Sequence, residues 1–173
     1  MSGLINRLDL ESRLGRENIE RYAIQCSLAA IVVLILLLVL DAVTQTVLIA
    51  AFGSSTFIAF AVPRSLHSSP RYLVGGYIAG MIAGTTMSSL AAAFGITDIV
   101  FAHSGMILFG ALATGIAMFL MVITRTEHPP AAALALGLVL NEWDLLTLSV
   151  ILIGVIALCV IKRLVLPLLM DLV

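Results

Sequence analysis

The sequence predicts an all-α polytopic membrane protein with about six membrane segments. They form a three-plus-three inverted repeat in which the second and fifth segments are broken half-helices. Three observations carry this reading. Of the 173 residues, 61% are hydrophobic and only 11% charged, whereas soluble domains are near half apolar and a quarter charged. The apolar stretches are separated by short polar turns, and two of them are interrupted or too short to cross a bilayer. The Lys and Arg residues fall in alternate turns, as the positive-inside rule requires of a multi-pass chain.

The elements follow in order. Residues 1–21 place Leu4, Ile5, Leu8 and Ile19 among Arg7, Arg13, Arg16 and Arg21, which reads as a cytoplasmic amphipathic segment on the membrane surface. A solvated leader fits the same residues. No cleavable signal peptide is expected, so the first span serves as its own insertion signal. That span is Tyr22–Leu40, with no charge from Leu28 to Leu40, and Asp41 ends it. The second stretch, Val43–Val62, is interrupted by Gly53-Ser54-Ser55. The third, Tyr72–Phe94, holds Gly76, Gly80 and Gly84 at every fourth position, a smooth groove for a close-packed helix. The fourth is Phe101–Ile123. After Thr124–Pro130 comes Ala131–Leu140, whose ten residues rise only ~15 Å, half the hydrocarbon thickness. Leu145–Ile161 is the sixth, closed by Lys162-Arg163; residues 22–163 thus form the transmembrane domain and 164–173 a short tail.

Four Arg precede the first span, Arg64 and Arg71 flank the second turn, and Lys162-Arg163 end the last. The turns at Asp41, Thr97-Asp98 and Asn141–Asp144 carry no basic residue. With six segments, both termini are expected on the cytoplasmic side of a bacterial inner (plasma) membrane. Segments one to three then run opposite to segments four to six, with the pattern long, broken, long in each half.

The chemistry-bearing residues cluster at the two breaks. Pro129-Pro130 fits the first turn of a half-helix, where the missing N–H groups have no intrahelical partner. Such an N-terminus favours anions. Gly53 permits a turn, and Ser54 or Ser55 can cap the half-helix that follows. Two N-termini meeting near the midplane, with backbone donors from Gly53, Ser54, Ser55 and His128–Ala131, would cradle a small anion. Thr124 and Thr126 stand beside them, and Arg125 would add a full charge if it faced the cavity. The blander readings are a packing contact or mild kink at Gly-Ser-Ser, and ordinary turn residues at Arg125 and Glu127. Arg64, His67 and Arg71 read as lipid-headgroup anchors or as an anion-collecting vestibule, and Trp143 as an interfacial anchor. Cys26 and Cys159 read as two lone thiols in apolar runs. No His/Cys spacing suggests a metal, no cofactor is expected, and no basic tract suggests nucleic acid. No catalytic residue is expected; a Ser–His pair formed across the two breaks would be the sole candidate.

The stretch Thr-Arg-Thr-Glu-His-Pro-Pro-Ala at 124–131 resembles the signature of the HPP family of small integral membrane proteins. Phe52-Gly53-Ser54-Ser55 and Pro70-Arg71 followed by Val74-Gly75-Gly76 are similar to further family stretches, so the resemblance covers most of 40–140. The family is described with about four membrane helices, and half-helices are easily missed in such a count. Plastid and cyanobacterial members are implicated in nitrite transport. Some members continue into a regulatory domain of the CBS type, which is not expected here.

The resemblance implies transport of a small anion, nitrite first. A homo-oligomer in contact with membrane lipids is expected because six short segments offer little internal wall around a pore and the glycine faces invite close contact. His128 would make it pH-dependent. A transporter of another small solute and a non-transporting scaffold or accessory subunit are the alternatives.

Overall fold

The computed structural model describes residues 16–40, 46–95 and 102–172. Among the described residues the chain forms six helices: α1 Arg16–Leu40, α2 Thr46–Ala61, α3 Pro70–Ala93, α4 Ala102–Thr124, α5 Pro129–Leu140 and α6 Leu145–Val165. Short 3-10 turns follow at Leu66–Ser68 and Leu166–Leu168. The protein is all-α and polytopic. Helix α3, α4 from Gly105, and α6 extended to Leu168 are each long and apolar enough to cross a membrane. Helix α1 has 25 residues, a rise of ~37 Å, and contains the expected first span. The start of the expected amphipathic segment, Asp41 and the Thr97-Asp98 turn lie outside the described residues, while residues 16–21 belong to α1 itself.

Helices α2 and α5 are the short ones, 16 and 12 residues, or ~24 and ~18 Å. Helix α5 is the half-helix expected from the sequence. The second segment is a correction: it is not broken at Gly53-Ser54-Ser55, because α2 runs through all three. One glycine costs a helix only ~1 kcal/mol, less than exposing unpaired backbone groups to lipid. Ser54 keeps its hydroxyl on its own helix, donating to the Ala50 carbonyl at 2.9 Å, so it caps nothing.

The packing obeys the inverted repeat. Helix α1 packs on α2 as α4 packs on α5, α1 on α6 as α4 on α3, and α2 on α6 as α5 on α3. Two further helix pairs, α2 with α5 and α3 with α6, map onto themselves under the same exchange. Direction also follows from named contacts. Gln25, early in α1, donates to the Phe60 carbonyl at the end of α2. Arg71, at the start of α3, reaches the Thr124 carbonyl at the end of α4. Lys162, late in α6, donates to Ser68 just before α3. Each helix therefore runs opposite to its mate in the other half.

The glycine row of α3 receives α5 and the arm before it. An added Cβ at Gly76 would lie 2.5 Å from the His128 Cβ, and one at Gly84 would lie 2.8 Å from the Ala135 carbonyl. At Gly80 it would collide with the Ala131 carbonyl oxygen. The expected groove is real, and its occupant is the half-helix of the same chain. Around it the buried core gathers Phe52, Phe60, Leu73, Tyr77, Leu134, Leu138, Ile151 and Leu158. After α6 the tail turns back: Gln25 donates to the Met170 carbonyl at 2.8 Å and accepts from the Met170 N–H at 3.1 Å. The Leu172 N–H donates to the Ala61 carbonyl at 2.8 Å, and Arg64 lies 3.9 Å from Asp171.

At the opposite end, the carboxylate of Asp144 caps α6, accepting from the Thr147 N–H at 2.7 Å and its hydroxyl at 2.8 Å. These bonds hold the Asp144 carboxyl below the usual carboxylate range.

Two stability tests follow from this packing. Gly80→Ala should lower thermal stability in detergent by about 1–3 kcal/mol, because the added methyl meets backbone. Gly53→Ala, with open space at its Cβ, should be neutral or stabilising by up to ~1 kcal/mol. Equal effects at the two sites would contradict the α3–α5 packing. The Asp144 cap, with a depressed folded pKa, should stabilise α6 above the unfolded carboxylate range and fade as pH falls through the folded value. Asp144→Asn should flatten that acid limb in pH-dependent unfolding.

Candidate functional site

The half-helix is reached through a short extended arm. Helix α4 ends at Thr124, and Arg125 takes a left-handed conformation (φ 54°), reversing the chain. Thr126 to His128 then climbs back along α3, where Gly75 and Gly76 leave room for it. The Thr124 and Thr126 hydroxyls lie 2.8 Å apart, and the Thr124 hydroxyl donates to the Leu120 carbonyl at 2.7 Å. The arm is also held from outside by residues expected in a vestibule. Arg71 donates to the Thr124 carbonyl at 3.2 Å, and His67 Nδ1 lies 3.1 Å from the Glu127 carbonyl. Arg64 engages the tail instead, donating to the Leu169 carbonyl at 3.3 Å.

His128 is the N-cap of α5, but its side chain makes no cap bond. Its Nε2 lies 2.9 Å from Ser55 Oγ, and Ser55 Oγ lies 2.9 Å from the Tyr77 hydroxyl. All three residues have no solvent exposure. The cluster joins α2, α3 and α5, with Ser55 in one half of the repeat and His128 in the other.

Hydrogen counting gives this cluster a direction. A neutral Tyr–Ser–His chain carries three donor hydrogens, and its two links use two of them. In any tautomer and rotor arrangement one donor is left over: His128 Nδ1–H, the Tyr77 hydroxyl or the Ser55 hydroxyl. His128 Nδ1 has no partner, and the neighbouring Thr56 hydroxyl is buried without one as well. Such groups are costly in an apolar interior. In every arrangement the cluster has a donor to offer a group that accepts.

The expected cradle of two helix N-termini is corrected by the same structure. With α2 unbroken, the N–H groups of Gly53, Ser54 and Ser55 lie within a continuous helix rather than at an end. At α5, Pro129 and Pro130 have no N–H, and the Ala131 N–H donates to the His128 carbonyl at 2.9 Å. The first turn has therefore given away the donors that an anion would use. Side chains, not backbone, supply the spare donors.

Arg125 is exposed and does not face the cluster. Gly53, Ser54, Pro129 and Pro130 instead line an open groove of about 610 Å³ with Phe57, Ile58 and Ala133. On the other flank of α5, a cavity of about 210 Å³ is lined by Met118, Met121, Val122, Glu127, His128, Pro129 and Ala132. Two approaches thus flank the half-helix, and the second reaches His128. Sequence reasoning missed Tyr77 and Thr56. Tyr77 carries a lone hydroxyl in an apolar run, and its spacing from Ser55 and His128 becomes meaningful only once α2, α3 and α5 are packed, while Thr56 directly follows Ser55 and is marked only by its burial. Among the described residues no group of His, Cys, Asp and Glu is arranged to hold a metal.

The family model described as "HPP, transmembrane region" matches residues 15–169. The chain belongs to the HPP transmembrane family. The His-Pro-Pro of the HPP signature is the buried histidine of the cluster followed by the two prolines that start α5. A transmembrane protein of Dictyostelium discoideum is 33% identical over 97 residues, a match covering 56% of this chain and 31% of that protein. The chain thus spans under a third of the length of the curated relative it matches. No solved structure matches it.

Thr56→Val keeps the shape of the HPP core and removes the unpartnered hydroxyl. It should raise thermal stability by about 1 kcal/mol. A loss of stability would mean that the hydroxyl has a partner.

Proposed function

We propose that this HPP protein transports a small anion across the membrane, nitrite being the first candidate, with Ser55, Tyr77 and His128 as the binding cluster. The observation that carries the reading is the donor surplus of a fully buried polar cluster. Nitrite accepts hydrogen bonds and donates none, so it complements the leftover hydrogen of the cluster. An intramembrane histidine is expensive to bury and marks a functional site by default. Gly53, Ser54, Pro129 and Pro130 belong to this reading as the wall of the outer groove, Arg64, Arg71 and Arg125 as charges that gather anions at the basic end, and His67 as a polar group beside them. That end would be cytoplasmic in a bacterial inner membrane, with both termini beside it. A homo-oligomer would cover the groove, where Phe57 is 65% exposed.

One observation favours a second reading, in which the protein is a non-transporting accessory subunit: Ser55, Tyr77 and His128 are wholly closed off. For transport, the closed packing would be one state of a cycle in which the half-helix moves.

Uptake of nitrite into proteoliposomes, compared with nitrate, formate and chloride, tests the proposal. Nitrite uptake should exceed that of protein-free vesicles and fall about tenfold or more in Ser55→Ala and in His128→Gln, the effect of one lost hydrogen bond to a charge. Cysteines placed at 55 and 128 should react with a water-soluble thiol reagent. Folded, inserted protein with no flux and no labelling would favour the accessory reading.

A further inference from the structure

We propose that Met118, Met121 and His128 bind one soft monovalent metal ion, Cu(I), in the cavity between α4 and the start of α5. The inference stands apart from the anion reading, because it uses the imidazole nitrogen that the Ser55 bond leaves free. Met118, Met121 and His128 line a single cavity of about 210 Å³. The two methionines are three residues apart on α4, so they share a helix face, with about 5–6 Å between their Cβ atoms. The His128 N–H donates to Met121 Sδ at 3.4 Å, which places one of the sulfurs beside the histidine backbone.

The second observation is the unpartnered nitrogen. His128 is wholly buried, and its Nδ1 has no hydrogen-bond partner. Covalent geometry puts Nδ1 at the end of the ring nearest its own backbone, and that backbone is what meets Met121. Nε2, at the far end, is committed to Ser55 Oγ at 2.9 Å. With Nε2–H donating to Ser55, Nδ1 carries a bare lone pair, which an apolar interior penalises and a metal ion takes up. A metal-binding histidine is held in this way, with one nitrogen on the ion and the other N–H on a fixed oxygen.

The donor set selects the metal. Thioethers are soft ligands and imidazole suits copper, a combination that favours Cu(I). Calcium and magnesium ask for a full shell of oxygens, and the cavity brings in a single carboxylate, that of half-buried Glu127. Structural zinc is held by thiolate, imidazole or carboxylate ligands, and among the described residues His, Cys, Asp and Glu form no such group. Methionine is what completes this site. Its side chain has three rotatable bonds, so both sulfurs can turn toward one ion within the cavity. Glu127 offsets the charge of that ion against the apolar walls. The bound ion ties α4 to the arm that leads into α5.

The test uses the whole chain carrying Cys26→Ser and Cys159→Ala, since free thiols compete for Cu(I), purified in detergent and checked for folding. Cu(I) is supplied under ascorbate and titrated against a coloured Cu(I) chelator, and Ag(I) serves as a second soft probe. One Cu(I) should bind per chain, X-ray absorption should show both sulfur and imidazole nitrogen on it, and Ag(I) should raise the melting temperature. Met118→Leu and Met121→Leu should each weaken binding about tenfold or more, while Met87→Leu, on α3, should leave it unchanged. Ser55→Ala, which removes the oxygen that holds the imidazole, should weaken it about ten- to a hundredfold. Folded protein that holds no Cu(I) would overturn the site. So would Cu(I) held as tightly by the Met118→Leu and Met121→Leu variants as by their parent, which would mean an adventitious ion only. Full affinity in folded His128→Gln protein, or a bound ion with no nitrogen ligand, would overturn it as well.

Discussion

Among the described residues, the hydrogen bond between Ser55 and His128 is the polar side-chain link between the second helix and the start of the fifth, and the arrangement around it follows from the need to keep it. Lipid offers no partner, so a buried hydroxyl and imidazole must find theirs within the protein, and Ser55 meets both Tyr77 and His128. Ser55 meets His128 because α2 is unbroken and turns its fifty-fifth residue inward while Ser54 faces out. His128 meets Ser55 because the arm before α5 climbs to the right height before the helix begins. The prolines fix that height, since they can only start a helix, and the side chain just ahead of them is left free to reach across.

That geometry has a steric precondition on the opposite side. The arm and α5 lie against α3 at a separation that any side chain larger than hydrogen at Gly76 or Gly80 would prevent. The small residues thus do more than bring helices together. They admit an extended, non-helical stretch of chain into the membrane domain, where its carbonyls at Thr124 and Glu127 are met by Arg71 and His67. Irregular backbone is tolerated there because its carbonyls have side-chain partners.

Much of this was legible in the sequence. Hydropathy gave six segments, the prolines gave the half-helix and its start, the glycine row gave a groove, and the alternation of long and short segments gave the inverted repeat. Those features depend on local chemistry or on period. What the sequence could not reveal depends on register between elements distant in the chain. The Gly-Ser-Ser stretch looked like a break because those residues favour turns, yet the price of exposing backbone in lipid outweighs their preference. Tyr77 looked like any aromatic residue in an apolar run. Its role appears only when α3 brings it within reach of a serine 22 residues earlier and beside a histidine far later in the chain. Arg125 drew attention by its charge, and it lies exposed in the left-handed turn after α4.

The returning tail sets a further condition on the whole molecule. Met170 and Leu172 are bonded to the first and second helices, so the tail is stitched to Gln25 of α1 and to the end of α2. The last carbonyls of α2 serve as the anchor points. Any force or weight applied after residue 172 is therefore delivered to the last turn of α2, barely a turn and a half from Ser55. In mechanical terms the C-terminus is a lever arm whose fulcrum is the helix that holds the buried serine.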